Sequence, residues 1–348
     1  MTKSTIIGLS GGVDSSTAAY LLKKEGYSVV GLNIDFWVNM KDTSSKKDAR
    51  EVAKKLNIPL HTINVKEQFQ KNVIEYFVKE YKEGKTPNPC VICNRCVKFQ
   101  TLLDSCKTSN TQYIATGHYA NIEKKNNRYL LKKGKDKTKD QSYMLYNLTQ
   151  EQLSKLLLPL GKYTKEEVRD IAKKAGLLTA HKKDSQEICF INDNDHHRFI
   201  TEYSKEKPIQ GNFVDREGNI LGKHKGISKY TIGQRKGIGI SANKPIFVTD
   251  INPTKNEITL GDEKELFKKE IYVKDLNWIA FEKLEQEIIV NAKIRYAARE
   301  ERAKLIPLAE GKIKAVFEKA QRAPTPGQAI VFYSKEYVLG GGIIERVK

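Results

Sequence analysis

Thr5-Ile-Ile-Gly-Leu9-Ser10-Gly-Gly-Val-Asp-Ser-Ser16 is the stretch that decides the fold. Residues 5–9 form a short apolar run rich in β-branched side chains, the pattern of a buried strand. From Ser16 to residue 25 the apolar residues Ala19, Leu21 and Leu22 recur at helical spacing. Between strand and helix, Gly11 and Gly12 let the backbone approach an anion, and the helix start offers free N–H groups at its positive end. Ser10, Ser15 and Ser16 can add hydroxyl donors to phosphate oxygens. Asp14 would repel a phosphate unless it holds a cation or a polar group of the ligand, which points to Mg²⁺ or to ligand contacts. The absence of Gly-Lys-Ser/Thr excludes the common loop of γ-phosphate transfer, and no Gly-x-Gly-x-x-Gly marks a dinucleotide here.

The same alternation continues outward. The periodicity predicts strands over 28–34, 60–65 and 113–116, with helices over 45–56, 67–81, 150–158 and 165–175. Strand and helix in turn argue for an α/β domain built on a parallel, helix-covered sheet. From about residue 203 the texture changes to short alternating runs broken by Gly, Asn, Asp and Pro, such as residues 212–220 and 246–251, which are hairpin signals. Longer strands follow over 287–297, 312–317, 328–333 and 337–344, suggesting a closed or rolled β module. The expected division is an α/β domain over 1–202, a β-rich central domain over 203–268 and a C-terminal β-barrel over 269–348.

The 348 residues carry a formal charge of +19, with 61 basic residues of which 49 are Lys. An anion, and nucleic acid first, is the natural partner of such a surface. The surplus is spread, +11 over 1–202 and +8 over 203–348, with a local concentration at Lys124, Lys125, Arg128, Lys132, Lys133, Lys135, Lys137 and Lys139. That cluster reads either as a solvated hairpin or as a phosphate contact. No apolar run is long enough to span a membrane and the N-terminus lacks the pattern of a signal peptide, so a cytoplasmic protein without a membrane partner is expected.

Five cysteines, Cys90, Cys93, Cys96, Cys106 and Cys189, are an odd set with four crowded together, and in a reducing compartment they read as reactive thiols or metal ligands. Thr86-Pro-Asn-Pro-Cys90-Val-Ile-Cys93-Asn94-Arg95-Cys96 reads as an extended, proline-braced loop running into a helix that begins near Arg95. A thiol close to that helix start and to Arg95 should have a lowered pKa. Lys182 and Lys183 supply positive charge near Cys189. Cys106, in a helical run after Leu102 and Leu103, reads as a buried inert thiol. Cys-x-x-Cys spacing also suits an iron–sulfur cluster, with Cys90, Cys93 and Cys189 as ligands.

The loop at residues 10–16 resembles that of the PP-loop ATP pyrophosphatases, which split ATP between its α and β phosphates. Together with Thr86-Pro-Asn-Pro-x-x-x-Cys-Asn94 and Asp184-Ser-x-x-Ile-Cys-Phe190, the chain resembles the bacterial tRNA-specific 2-thiouridylases nearly end to end. Ala115-Thr-Gly-His-Tyr119, Lys139-Asp-Gln-Ser-Tyr143, Thr231-Ile-Gly-Gln-Arg-Lys-Gly-Ile-Gly239, Arg295-Tyr296, Thr325-Pro-Gly-Gln328 and Leu339-Gly-Gly-Gly-Ile-Ile344 extend the match. The resemblance implies ATP-dependent conversion of the wobble uridine of Lys, Glu and Gln tRNAs to 2-thiouridine. It makes Cys93 the nucleophile and Cys189 the carrier of persulfide sulfur received from an upstream donor protein. It matches Gly8, Leu9, Ser10, Gly11, Gly12, Val13, Asp14, Ser15, Ile34 and Gly117 to ATP contacts, with Asp14 also in the catalytic set. Asn88, Pro89 and Cys90 match the segment that meets the target base, and His118, Lys139, Asp140, Gln141, Arg295, Tyr296 and Gln328 match tRNA contacts. Many members carry Asp at the position of Cys90. Cluster-dependent thiolation at the same site, and another PP-loop ligase or amidotransferase, are the alternatives.

Overall fold

The computed structural model describes residues 3–36, 44–181, 188–191, 193 and 195–348. Its first sheet runs β1 (Ser4–Gly8), β2 (Ser28–Asp35), β3 (Leu60–Asn64), β4 (Tyr113–Ala115) and, beyond the intervening hairpin β5 (Ala120–Lys125) and β6 (Arg128–Lys133), β7 (Leu156–Leu157). The spatial order is β3-β2-β1-β4-β7, and every pairing is parallel. Ile6 and Ile7 of β1 point to opposite faces and both are buried. Each face is covered, one by Leu102, Tyr143 and Leu145, the other by Ala18, Leu22 and Val52. That two-sided burial is why the strand is apolar throughout rather than alternating.

Boundaries differ from the sequence expectation where local chemistry intervenes. The helix after the first loop, α1 (Val13–Lys24), begins three residues early, with Gly12 as its extended N-cap, so Asp14, Ser15 and Ser16 lie in its first turn. The helix expected over 150–158 is capped by a Thr149/Gln152 capping box but stops at Lys155. Leu156 and Leu157 then leave it to pair with Ile114 and Ala115 as the sheet's edge.

The central sheet comprises β8 (Gly211–Val214), β9 (Ile220–His224), β10 (Phe247–Asn252) and β11 (Glu257–Gly261), in the order β10-β11-β8-β9 around Phe213, Tyr230, Val248 and Ile258. The C-terminal strands are β12 (Phe267–Trp278), β13 (Ile288–Lys293), β14 (Glu301–Pro307), β15 (Ile313–Arg322), β16 (Ala329–Ser334) and β17 (Tyr337–Val347). They run β12-β15-β14-β13-β16-β17 and close through β12–β17 into a six-stranded barrel.

Within the basic cluster at 124–139, Arg128, Lys132, Lys133 and Lys135 form a strut. Hairpin β5–β6 extends the barrel sheet, with Leu131 and Lys132 registered against Val338 and Tyr337. Lys132 pairs with Glu123 and Glu336 (both 3.1 Å), Lys133 with Glu300 (2.6 Å) and Lys135 with Glu167 (2.7 Å). Arg128 donates to the carbonyls of Ile279 and Phe281, both at 3.1 Å. Further bonds tie the barrel to the first sheet: Tyr143 Oη donates to Ala329 O at 2.7 Å, and Asn277 Nδ2 donates to Tyr146 O at 2.7 Å. The barrel is thereby seated on the α/β domain rather than tethered to it.

Candidate active site

In the order β3-β2-β1-β4-β7 the connections diverge at β1 and β4, and ligands of such sheets bind outside the strand C-termini at that point. Ser10–Ser15 follow β1 there and Gly117 follows β4. Gly11 adopts φ +75°, open to glycine at no steric cost. Ser15 Oγ and Ser16 Oγ both donate to Gly12 O (3.2 and 2.8 Å), and Ser15 Oγ lies 3.2 Å from Ser10 Oγ. The loop is thus held by its own hydroxyls, while the first-turn amides of α1 lack partners within the helix. Gly117 is required by close approach: a Cβ there would stand 2.6 Å from Asp14 C and 2.7 Å from Ser15 N. Leu9 and Val13 are core residues, and Asn33 Nδ2 donates to Leu9 O at 3.0 Å beside Ile34 at the end of β2.

Asp14 has partners that the sequence did not announce. Lys165 Nζ lies 2.8 Å from both its carboxylate oxygens and Tyr119 Oη donates to Oδ1 at 2.7 Å. No three His, Cys, Asp or Glu side chains among the described residues converge to hold a metal ion. Among the described residues, no set of side chains thus assembles that would cage Mg²⁺ or hold a cluster.

The thiol segment corrects the sequence reading. Its helix starts at Pro89 rather than near Arg95, with Asn88 as N-cap accepting from Cys90 N at 3.1 Å, and spans Pro89–Cys93 before a single wide π-turn, Asn94–Lys98. Cys90 and Cys93 therefore share one short helix, Cys90 exposed and Cys93 buried. The lowered pKa expected of a thiol beside Arg95 is not found. Arg95 Nη1 donates to Asn147 Oδ1 at 2.9 Å, and burial pushes the Cys93 thiol up to about 12. Cys189 is exposed as a residue, yet burial of its sulfur pushes it up to about 11. Lys98 opposes the rise at Cys93, Cys189 and Cys90, and the three sulfurs feel one another's charge. Three thiols and one ammonium thus occupy a common neighbourhood. Lys182 and Lys183 lie outside the described residues. Cys106 is buried, its thiol donating to Thr111 O at 2.9 Å, as an inert core thiol should be.

His118 links the two halves of the site. It follows Gly117, packs on Phe99 with ring centroids 5.6 Å apart, and shares a 2.8 Å hydrogen bond with Thr116 Oγ1 through Nδ1. Burial, with Lys98 nearby, pulls its pKa down to about 3, so the ring is neutral at physiological pH. Lys98 was missed because five residues after Cys93 is not the spacing of a regular helical turn; the π-turn brings it round.

Residues remote in sequence gather around the segments that flank the thiol helix. Tyr296 meets Tyr143 edge to face at 5.9 Å, and Lys293 lies over both rings at 5.7 and 5.9 Å. Asp140 caps the turn before Tyr143, accepting from Gly134 N at 2.9 Å and from Ser142 Oγ at 2.8 Å, while Gln141 Oε1 accepts from Tyr119 N at 3.0 Å. Arg295 Nη1 donates to the carbonyls of Arg322 and Ala323 (3.0 and 3.4 Å), and Gln328 Nε2 to Thr86 O at 2.7 Å.

Comparison with known proteins gives this geometry a family. Residues 3–193 match the model described as tRNA methyl transferase HUP domain, 197–262 the PRC-barrel domain of the same set, and 268–344 the aminomethyltransferase beta-barrel domain. A tRNA-specific 2-thiouridylase MnmA of Clostridium botulinum (strain Alaska E43 / Type E3) is 52% identical over 355 residues, covering 99% of this chain and 98% of its own. That of Clostridium perfringens (strain 13 / Type A) is 51% identical over 353 residues, at 99% and 98%. Among solved structures, the U34-tRNA thiolase NcsA from Methanococcus maripaludis with its [4Fe-4S] cluster is 19% identical, covers 58% of this chain and 63% of its own, and has a TM-score of 0.38, too low to argue from. Near-full-length identity of about half, together with the three consecutive domain matches, shows that the chain belongs to the tRNA-specific 2-thiouridylase family.

Proposed function

We propose that this chain is an ATP-dependent tRNA-uridine 2-sulfurtransferase. The observation that carries the reading is the adjacency just described: Gly117 packs on the backbone of Asp14 and Ser15, and the next residue, His118, sits in the field of the Lys98 that faces all three thiols. A nucleotide loop and a pair of cysteines thereby lie on neighbouring segments, the arrangement that oxygen-for-sulfur exchange needs. Oxide is too poor a leaving group to depart from uridine C2 unaided. Attack of the C2 oxygen on the α-phosphorus of ATP expels pyrophosphate and converts that oxygen into part of an AMP leaving group. The terminal sulfur of a Cys189 persulfide then attacks C2 and AMP departs. Cys93 attacks Cys189 Sγ, breaking the persulfide S–S bond and leaving sulfur on the base. The two cysteines end as a disulfide, two electrons more oxidised than the thiols, and an external thiol reductant resets them.

In this reading residues 8–15, Ile34 and Gly117 hold ATP, with Asp14 oriented by Lys165 and Mg²⁺ entering on the nucleotide's phosphates. Asn88, Pro89 and Cys90 face the extruded base. His118, Lys139, Asp140, Gln141, Arg295, Tyr296 and Gln328 belong to the RNA-facing side, where Tyr296 offers a stacking ring. The domain division is 1–202 for chemistry, with 203–268 and 269–348 holding the RNA. The partners are Lys, Glu and Gln tRNAs and an upstream persulfide donor, and the compartment is the cytoplasm; no helix among the described residues is long and apolar enough to cross a membrane. Incubation with unmodified tRNA, ATP and a persulfide donor, followed by nucleoside mass spectrometry, tests the reading. It expects ATP-dependent 2-thiouridine, and a product absent with ATP present would refute it.

A further inference from the structure

Thr86 is the point at which three parts of the chain meet. Its N–H donates to Pro326 O at 2.9 Å, its carbonyl accepts from Gln328 Nε2 at 2.7 Å, and its hydroxyl donates to Thr231 Oγ1 at 3.3 Å. Pro326 and Gln328 belong to the barrel segment between β15 and β16, and Thr231 to the central domain. The approach is close enough to dictate residue types. Gly327 has φ +90°, and a Cβ on it would stand 3.1 Å from both Thr86 N and Thr86 C. Gly84 has φ +70°, and its Cβ would stand 2.8 Å from Ile251 Cγ2 of β10. Residues 85–88 have no regular secondary structure of their own, so these contacts fix their path. Two residues beyond Thr86, Asn88 caps the helix that carries Cys90 and Cys93. The barrel segment is itself anchored, since Arg295 Nη1 holds Arg322 O and Ala323 O, and Gly233 of the central domain lies flush against Ala323, where a Cβ would stand 2.8 Å from that of Ala323.

We propose that Gln328 is a positioning residue for the thiol helix: through the Thr86 carbonyl, the barrel sets where Asn88, Cys90 and Cys93 stand relative to the bound base. The inference rests on the thiolation reading for its catalytic consequence and on geometry alone for the placement. A carbonyl that already has its donor holds the loop in one register. Removing the donor frees residues 85–88, and a displacement of about 1 Å at reacting atoms costs up to about a hundredfold in rate.

The test uses the full-length chain and two variants, Gln328→Met, which keeps the side chain's length and removes its donor, and Thr86→Val, which breaks the contact to Thr231 and leaves the carbonyl in place. Two readouts are taken: iodoacetamide alkylation of Cys90 and Cys93 in RNA-free protein, resolved by peptide mass spectrometry, and tRNA Kd alongside the single-turnover thiolation rate at saturating tRNA. Expected for Gln328→Met, whatever its Kd, are a thiolation rate at saturating tRNA at least tenfold lower than wild type and a Cys90-to-Cys93 alkylation ratio changed at least threefold. Thr86→Val is expected to move that ratio in the same direction. A Kd raised tenfold with the saturated rate and alkylation ratio unchanged makes Gln328 an RNA contact only and overturns the proposal. Should Gln328→Met lose its cooperative thermal transition, the Thr86→Val alkylation ratio decides, and an unchanged ratio overturns the proposal. Wild-type chain that makes no 2-thiouridine, with the alkylation shifts intact, contradicts the functional reading and supports the placement.

Discussion

Lys165 Nζ sits 2.8 Å from both carboxylate oxygens of Asp14, joining the first turn of the helix Lys165–Lys174 to the first turn of α1. Lys165 is largely buried, and Tyr119 Oη completes the same carboxylate. The Asp14 carboxylate is therefore held in one orientation. Lys165→Met should lower kcat/KM for ATP by at least tenfold, about 1.4 kcal/mol of transition-state stabilisation. The check is tRNA-dependent AMP release, with Tyr119→Phe expected to show a smaller loss in the same direction.

The cysteine pKa values set an alkaline limit. Both thiols are raised above their ordinary value of 9.0, Cys93 to about 12 and Cys189 to about 11, by burial. The neutral thiol is the form the fold favours, so this stability is fully present below pH 9 and is lost between pH 9 and the folded-state values. The buried Cys93 thiol contributes a slope of about 1.4 kcal/mol per pH unit across that window, and the exposed Cys189 a smaller, solvent-screened one. Chemical denaturation at pH 8 and pH 10 should show wild type losing more stability than Cys93→Ala. Alkylation of Cys93 in RNA-free protein should remain slow at pH 7.5 and rise about tenfold per pH unit up to pH 10.

His118 limits the acid side. Burial lowers its pKa from 6.5 to about 3. Its contribution is fully present above pH 6.5 and falls as pH drops toward 3, because the unfolded chain takes up the proton first. The imidazole resonances of His118 should show no titration between pH 5 and 8. His118→Gln should lose less stability than wild type when pH is lowered from 7 to 4.5.

The strut makes a prediction opposite to the one its composition invites. Lys132 and Lys135 are paired with carboxylates of the chain itself. Each phosphate contact adds about 0.7–0.9 to the slope of log K against log salt. Lys132→Ala and Lys135→Ala should leave that slope for tRNA binding unchanged within error, measured by filter binding. Tyr143→Phe, which removes a buried bond to Ala329 O, should lower global stability by about 1 kcal/mol while the barrel and the α/β domain still unfold together.

What the sequence revealed follows from what is local. The β1-loop-α1 unit, the strand–helix alternation and the hairpin texture after residue 203 are set by neighbours in the chain, and the structure keeps them with shifts of a few residues. The start of the thiol helix was misplaced because Pro87 and Pro89 read as extended, whereas Pro89 sits at the first helical position with Asn88 capping it, where proline is well accommodated. The environment of Cys93 was misjudged for a tertiary reason: Arg95 turns to Asn147, and the packing of Phe69, Phe77 and Phe190 leaves the sulfur desolvated. Lys165 and the Thr86 junction left no local trace, since their partners are 151 and up to 242 residues away.

The proposed route forms one disulfide for each oxygen exchanged, which a single-turnover reaction without reductant measures. Persulfide-loaded protein is mixed with unmodified tRNA and ATP, and 2-thiouridine and cysteine peptides are quantified from the same quench by mass spectrometry. Equal amounts of 2-thiouridine and of a Cys93–Cys189 disulfide are expected, with no product from persulfide-loaded Cys93→Ala. Full product without that disulfide, or full product from Cys93→Ala, would contradict that route.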